Sequence, residues 1–505
     1  MNIIIRTDAS CYIGSGHVMR TLVLASGLKA QGYNVNFASR PQHGDLIEFI
    51  EKRGFNVHKL EQPKQWLVPK NNADYSAWLQ VDWKEDAQNL IERTDNIDLV
   101  IVDHYGIDAE WEEYVKKQLN CKLFIIDDLI RSHHADLILD QTLMRSEVDY
   151  GIQKLGTKIL AGCKFALLAP MFSLYREKTY NKNSSNLITK ILLSMGGVDQ
   201  PNATYRVLQA LTKSPLPAPQ VTVLLNSKAP HYQQVKSFTE QNSDWVTHID
   251  FVDNMAKIMT QHNIAIGAPG STSWERACLG IPSIIIPLAE NQKDISQSLV
   301  QAQAAIKVAL DNIPSELLTA IDELKIHWTK FHNANKSLCD GLGLSRVITQ
   351  VEQLCNNTEG SLKLRQANKS DIEQVHKWQS HPKTRAFALN PQVPSWKEHQ
   401  EWMSKKLKHK SDFFYIIERS TDALSVGVIR LEKSLPNAYL ISIFIAPNFH
   451  GKGIAKQALC SIDSLHPTFE IHATVLSKNL ASQRLFVSAN YIRTSTNTFI
   501  RPPII

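Results

Sequence analysis

A histidine set behind two glycines carries the first chemistry of this chain: Ser10-Cys11-Tyr12-Ile13-Gly14-Ser15-Gly16-His17. The apolar run Asn2–Ile5 before it reads as a buried strand, and Val18, Leu22, Ala25 and Leu28 after it share one face at helical spacing. His17 is therefore expected at a helix N-terminus on the carboxyl edge of a parallel sheet, where open α/β folds bind ligands. An imidazole there can take or pass a proton, or it can simply satisfy a backbone carbonyl. Gly14 and Gly16 let the backbone approach a ligand closely. They do not make a dinucleotide site, because Met19 stands where the third glycine is needed and the strand Asn34–Ser39 runs into Arg40 instead of an acid.

Two more turns have anion-binding character. Gly196-Gly197-Val198-Asp199 follows the strand Ile191–Ser194, and Gly197 is a candidate ligand contact. In Gly267-Ala268-Pro269-Gly270-Ser271-Thr272-Ser273-Trp274-Glu275-Arg276, a strand ends in small residues whose amides and hydroxyls can surround a diphosphate. Glu275, one helical turn in, can accept hydrogen bonds from a ribose diol or serve only as a favourable first-turn acid. Glu290, Asn291 and Gln292 follow the strand Ser283–Pro287, and their acid and amides suit a sugar or uracil. Asp8, Asp103 and Asp127–Asp128 end strands of the first half, where each touches a sugar, assists His17 or caps a turn.

A fourth loop lies near the C-terminus. Ile441, Ile443 and Ile445 alternate along a strand, and Asn448-Phe449-His450-Gly451-Lys452-Gly453-Ile454-Ala455 then opens a helix. Consecutive amides there fit a pyrophosphate, Lys452 adds charge, and an open strand edge at Ile443 and Ile445 can pair with an amide-bearing arm. Coenzyme A has both groups.

The elements that must position these residues fall into three domains of ordinary size, at 1–165, 166–355 and 361–505. The first two read as doubly wound α/β domains facing across a cleft: Val57–Leu60, Leu99–Asp103, Leu123–Asp127 and Leu137–Asp140 are strands of one. Ile191–Ser194, Gln220–Leu225, Ile264–Gly267 and Ser283–Pro287 belong to the other, which Pro314–Leu354 closes as helices. The first α/β unit ends near Leu160–Phe172, residues 181–186 are a polar surface stretch, and residues 356–360 are the clearest linker. The third domain is α+β, with Ser370 as the cap of a helix Asp371–Trp378. Strands Lys363–Ala367, Phe413–Glu418, Ser425–Leu431 and Tyr439–Ala446, a helix from Gly453, a strand Glu470–Val475 and a helix Leu480–Val487 complete it.

The segment Arg6, Asp8, Ser10, Ile13, Gly14, Gly16, His17 and Arg20 resembles, without a gap, the R-x-D-x-S-x-x-I-G-x-G-H-x-x-R opening of the pseudaminic-acid UDP-sugar hydrolases. The G-S-T-S-W-E-R-A-C-L-G-I-P…A-E-N-Q run and the Gly-Gly-Val-Asp turn resemble them too. The resemblance covers about residues 1–350 and implies a GT-B arrangement of two Rossmann-like domains. By it, His17 is the catalytic acid/base, and Gly270, Ser271, Thr272, Glu275 and Asn291 hold a uridine diphosphate. Arg6, Asp8 and Asp103 join Gly14, Gly16, Gly197, Glu290 and Gln292 as expected substrate contacts. One departure is Ala169-Pro170-Met171-Phe172, where the family has R-P-E-F.

The loop Asn448–Ala455 resembles the GNAT acetyltransferase signature R/Q-x-x-G-x-G/A, and Asn479-x-x-Ser482-x-x-x-Phe486 resembles its N-x-x-S/A-x-x-x-Y/F. That implies acetyl-CoA as co-substrate, with Asn479 and Ser482 beside it. Asn448 stands in place of the usual arginine or glutamine. Phe486 stands in place of a tyrosine that protonates the departing thiolate, and it cannot donate a proton. Trp378, Arg385, His399 and Trp402 resemble the subgroup that acetylates the 4-amine of nucleotide-linked amino sugars, although the tryptophans equally suit core packing.

These resemblances imply a bifunctional enzyme of pseudaminic acid biosynthesis, with a UDP-linked amino sugar and acetyl-CoA as its small-molecule partners. The alternatives are a glycosyltransferase with an attached acyltransferase, an inactive GNAT domain, and a UDP-sugar-binding protein without catalysis. The first calls for a basic–apolar acceptor patch on the first domain, which the loop after Gly16 lacks, and an intact His17 beside the nucleotide motifs counts against the last. A net charge of +6 over 505 residues is too slight for nucleic acid to be the main partner. Seven scattered cysteines with no C-x-x-C spacing read as reduced thiols and not as a metal site. No apolar run approaches about 18 residues. The expectation is a cytoplasmic, metal-independent monomer that does not enter membranes.

Overall fold

The computed structural model describes residues 1–505 apart from 72–73, 152–155, 179–188, 198, 215–218, 290–291, 356–361, 389, 410, 421 and 505. The polar stretch at 181–186, the linker at 356–360, Val198, Glu290 and Asn291 lie outside the described residues. The chain forms two compact units, 1–347 and 348–505.

The first unit holds two parallel sheets. One comprises β1 (Asn2–Thr7), β2 (Asn34–Ser39), β3 (Asn56–Lys59), β4 (Leu99–Asp103), β5 (Lys122–Ile126), β6 (Leu137–Asp140) and β7 (Lys158–Ala161), in the spatial order β3-β2-β1-β4-β5-β6-β7. The other comprises β8 (Lys190–Ser194), β9 (Gln220–Leu224), β10 (Val246–Ile249), β11 (Ile264–Gly267), β12 (Ser283–Ile285) and β13 (Ala305–Lys307), ordered β10-β9-β8-β11-β12-β13. Both are doubly wound and Rossmann-like, the pair that makes a GT-B unit. The central strands β4 and β11 are buried along their whole length and nearly all apolar, as strands covered by helices on each side require. In each sheet the strand order reverses once, between β1 and β4 and between β8 and β11, and ligands of such folds bind at the carboxyl ends of that crevice.

Three of these strands escape the sequence reading. β7 straddles the start of Leu160–Phe172, the stretch read as the end of the first unit, β10 (VTHI) alternates with polar residues, and β13 has only three residues. Strands of three or four residues give too little pattern to distinguish from loop.

The second unit holds a mixed sheet of β14 (Leu362–Gln366), β15 (Phe413–Arg419), β16 (Ser425–Leu435), β17 (Ala438–Ile445), β18 (Glu470–Thr474), β19 (Ile492–Arg493) and β20 (Thr498–Arg501), ordered β14-β15-β16-β17-β18-β20-β19. Strands β14 to β17 are antiparallel, and β17 then pairs β18 in parallel. Ser370 is not a cap. Asn368 accepts the Ser370 amide at 2.8 Å and Asp371 returns to the Asn368 amide at 2.7 Å, closing a capping box one turn earlier. Among the described residues no helix is long and apolar enough to cross a membrane.

Candidate active site

β1 ends in a turn where Gly14 takes φ +78°, and helix Gly16–Ala30 begins at once. Val18, Leu24, Ala25 and Leu28 bury one face of that helix, which fixes His17 in its first turn beside the end of β4. The His17 Nδ1–H donates to Asp103 Oδ1 at 2.5 Å, so Nε2 is the ring's remaining acceptor. Tyr105 stands edge-on to the imidazole, with centroids 4.6 Å apart. Asp103 also receives Arg20 through Nε at 2.6 Å and Nη2 at 2.8 Å. Burial opposes ionisation of Asp103, but Arg20 and His17 outweigh it and hold the carboxyl at about 2. The imidazole is thus oriented by a carboxylate that stays ionised, not by a backbone carbonyl.

Arg20 reaches further. Its Nη1 meets Asp128 Oδ2 at 2.5 Å, and the Tyr105 hydroxyl donates to the same oxygen at 2.9 Å. His17, Arg20, Tyr105 and Asp128 line a cavity of about 290 Å³ together with Gln141, Thr142 and Arg145 from the end of β6. Pro269, Gly270, Ser271, Gln292 and Asp294 line it from the second sheet. A single pyranose fits such a volume.

Arg6, Asp8 and Asp103 do not reach the cleft, contrary to the sequence expectation of substrate contacts. All three are wholly buried. Arg6 bridges Asp8 at 2.6 Å and Asp86 at 2.7 Å, and Asp8 also accepts the amide of Arg40 at 2.7 Å. Asp86 takes Arg40 as well, at 2.7 Å. This network lies under the site and braces the ends of β1 and β2. Buried ions need such pairing, which is why a strand-ending arginine and aspartate read as functional in sequence while facing inward. Of the remaining strand-ending acids, Asp127 caps the turn after β5 and Asp128 faces the cavity.

Across the cleft, Gly197 lies against Ser15, whose hydroxyl would be 3.1 Å from an added Cβ. Gly14, Gly16, Gly197, Gly270, Ser271, Thr272, Glu275 and Gln292 all line a larger cavity of about 1420 Å³ that continues from the first. Helix Thr272–Leu279 has no side-chain cap; the amides of Gly270, Ser273 and Trp274 donate to Ser273 Oγ and to the Gly270 and Ser271 carbonyls, so the amides of Ser271 and Thr272 are the ones turned to an anion. Arg276 holds the loop by donating to the Ala268 carbonyl at 3.1 Å and to Ser273 Oγ at 3.0 Å. Glu275 Oε2 is buried with no hydrogen-bond partner, and burial, offset only partly by Arg276, raises its carboxyl to about 7. Gln292 accepts the Leu288 amide at 2.7 Å, which shapes the following turn. Asp199 accepts the amides of Ala203 and Thr204 at 2.8 and 2.9 Å and so caps its helix at the edge of the larger cavity.

Arg20, Tyr105, Gln141, Thr142, Arg145 and Asp294 are polar residues of the smaller cavity that were not among the expected substrate contacts. The signal was present: Gln141 and Thr142 follow β6, and asking of every strand what lies just past its carboxyl end finds them.

In the second unit, Gly451 and Gly453 take φ +77° and +74°, and helix Ile454–Leu465 follows. His450 Nε2 donates to the Ile445 carbonyl at 2.9 Å, which ties the loop to the strand. β18 pairs β17 only from Ala438 to Leu440, so the Ile441–Ile445 edge is left open on that side. This edge and loop suit the amide-bearing arm and pyrophosphate of coenzyme A. Asn479 Oδ1 accepts the Ser482 amide at 3.1 Å and caps helix Leu480–Ser488. Phe486 is buried between Tyr491 and Phe499. Trp378 and Trp402 pack on the small core of Ile372, Val375 and Met403.

Residues 192–349 match the family profile described as glycosyltransferase family 28 C-terminal domain, and residues 361–490 match that of the acetyltransferase (GNAT) domain. The chain joins a glycosyltransferase-28-like unit to a GNAT domain. An uncharacterised protein of Methanocaldococcus jannaschii is 23% identical over 98% of this chain and 97% of its own length, so it matches across both parts. The UDP-2,4-diacetamido-2,4,6-trideoxy-beta-L-altropyranose hydrolase of Campylobacter jejuni is 26% identical over 60% of this chain and 97% of its own length. Among solved structures, Acinetobacter baumannii MurG is similar with a TM-score of 0.49 and 13% identity, covering 70% of this chain and 99% of its own. The two profile matches describe an enzyme with a glycosyltransferase-28-like domain and an acetyltransferase domain.

Proposed function

We propose that the first unit hydrolyses UDP from UDP-2,4-diacetamido-2,4,6-trideoxy-β-L-altropyranose. We propose further that the second N-acetylates the 4-amine of the preceding UDP-amino sugar with acetyl-CoA. The domains doing so are those at 1–165, 166–355 and 361–505. The observation that carries the hydrolase reading is one cavity lined by both His17 and the Gly270–Ser271 loop. The diphosphate rests on the loop's amides, Glu275 accepts the ribose diol, and the sugar occupies the small cavity. Water attacks the anomeric carbon, the C–O bond to the diphosphate breaks, and UDP leaves with the bond's electron pair. His17 Nε2 takes the water's proton, while Asp103 stabilises the imidazolium that forms. In the second unit the sugar's free amine attacks the thioester carbonyl and the thiolate departs. The likeness to the Campylobacter hydrolase supports the substrate of the first step, and the GNAT match supports acetyl-CoA in the second.

A glycosyltransferase reading keeps one structural support. Trp66, Leu67 and Val68 are exposed, and Pro69 and Lys70 beside them line the cleft, so an apolar and basic patch exists at a different loop from the one after Gly16. Release of free UDP from the UDP-sugar in buffer without any acceptor decides for hydrolysis. Release only when a sugar or lipid acceptor is added decides for transfer.

A further inference from the structure

The turn after β5, Asp127-Asp128-Leu129-Ile130-Arg131, holds the least expected backbone at the site: Ile130 has φ +56°. A β-branched residue strongly disfavours the left-handed region, where glycine or asparagine sits without strain. The turn leaves it no choice. Asp127 accepts the amides of Leu129 and Arg131 at 3.2 Å each and the Arg131 Nε at 2.9 Å. Arg131 Nη1 in turn donates to the carbonyls of Tyr105 at 2.7 Å and Ile107 at 2.9 Å. Core packing does not compensate, because Ile130 remains 41% exposed. What it does face is the 290 Å³ cavity that also holds His17.

We propose that Ile130 is a specificity-determining residue, held in a strained conformation to present an apolar wall to the sugar's C6 methyl and to disfavour a hydroxymethyl there. The inference rests on the UDP-sugar reading of the cavity given above. Its polar lining from Arg20, Asp128, Thr142 and Arg145 can satisfy amides and hydroxyls, whereas a hydroxyl set against Ile130 meets carbon and loses its water. A pocket that merely rejects one added hydroxyl discriminates by about 10–100-fold.

The test uses two UDP-N-acetylhexosamines that differ only at C6, methyl against hydroxymethyl, with the full chain and its Ile130→Gly and Ile130→Asn variants. Both variants accept the positive φ, so their Tm should match or exceed that of the wild type, which separates specificity from folding. The wild type should favour the 6-deoxy sugar by about tenfold or more in kcat/KM for UDP release, and by a similar factor in calorimetric Kd. Both variants should bring that ratio to within about threefold of unity. Equal Kd values for the two sugars on the wild type, or an unchanged ratio in both variants, overturns the role of Ile130. Absence of UDP release from either sugar tells against the hydrolase reading alone, because the Kd comparison still decides the assignment of Ile130.

Discussion

The two walls of the cleft are built on opposite principles. On the His17 side the acids and bases are already paired: His17 with Asp103, Arg20 with Asp103 and Asp128, Arg6 with Asp8 and Asp86. On the Gly270 side, Glu275 Oε2 has no partner and the following helix has no side-chain cap. Groups that must hold one geometry through a reaction are locked in advance, which avoids reorganisation when charge develops. Groups that wait for a ligand stay unsatisfied until it arrives, so the ligand's own donors and acceptors complete them. On the proposed function, the contrast separates a wall that performs chemistry from a wall that supplies affinity.

The strongest way to break that contrast is His17→Ala. If the first wall carries chemistry alone, kcat for UDP release falls on the order of 10²–10⁴-fold while calorimetric UDP affinity stays nearly constant. Turnover near the wild-type rate would return His17 to a structural role. Asp103→Ala tests the locking itself. Removing this buried carboxylate leaves Arg20 short of a partner and the imidazole unoriented. Stability in a denaturant titration should fall by about 3–5 kcal/mol, and kcat on the order of 10²-fold. Loss of stability without loss of kcat would show that Asp103 braces the fold but does not orient His17.

The same contrast explains which features the sequence revealed. The glycine turns and His17 were legible because ligand-binding loops need special backbone: Gly14, Gly196, Gly451 and Gly453 all take positive φ. The doubly wound pattern was legible because buried parallel strands such as LVIVD are nearly all apolar. The paired wall was not. Whether Arg6 and Asp8 face a ligand or one another depends on Asp86 and Arg40, which come from distant parts of the chain. Nor could the sequence single out Ile130, since nothing local marks a branched residue for the left-handed region.

Gly451→Val asks whether the open-loop principle extends to the second unit. No atom lies within 4 Å of an added Cβ, so backbone strain at φ +77° is the obstacle, not a clash. A branched residue there costs about 1–3 kcal/mol, which should weaken acetyl-CoA binding by about 10–100-fold if the loop carries the pyrophosphate. Unchanged affinity would place the coenzyme elsewhere.

Glu275 sharpens the comparison through pH. Its carboxyl stands at about 7, above the ordinary 4.5, so the unliganded protein loses stability as pH rises from about 4.5 through 7 and the buried group ionises. A bound diol donating to the carboxylate reverses that preference and draws off the proton. UDP affinity should therefore climb about tenfold per pH unit below 7 and level off above it. Glu275→Gln should flatten the calorimetric profile between pH 5.5 and 8 and raise the Tm of the unliganded protein at pH 8. A wild-type affinity that is flat across this range would remove Glu275 from the ribose.

Phe486→Tyr carries the smallest expected effect, and it tests whether the GNAT domain lacks a donor or has no use for one at this position. The Phe486 ring is enclosed by Tyr491 at 4.9 Å and stacked on Phe499 at 5.9 Å, inside the core that β17 shares with helix Ile454–Leu465. A phenol placed there must bury its hydroxyl. Without a partner this costs about 1–3 kcal/mol, which for a unit of this size is a drop in Tm of roughly 3–10 °C. Acetyl transfer, followed by thiol release, should then stay within about twofold of wild type, with protonation of the departing thiolate left to water. A rise in kcat well above twofold at unchanged acetyl-CoA affinity would mean that the ring edge faces the thiolate and that the missing hydroxyl limits the enzyme.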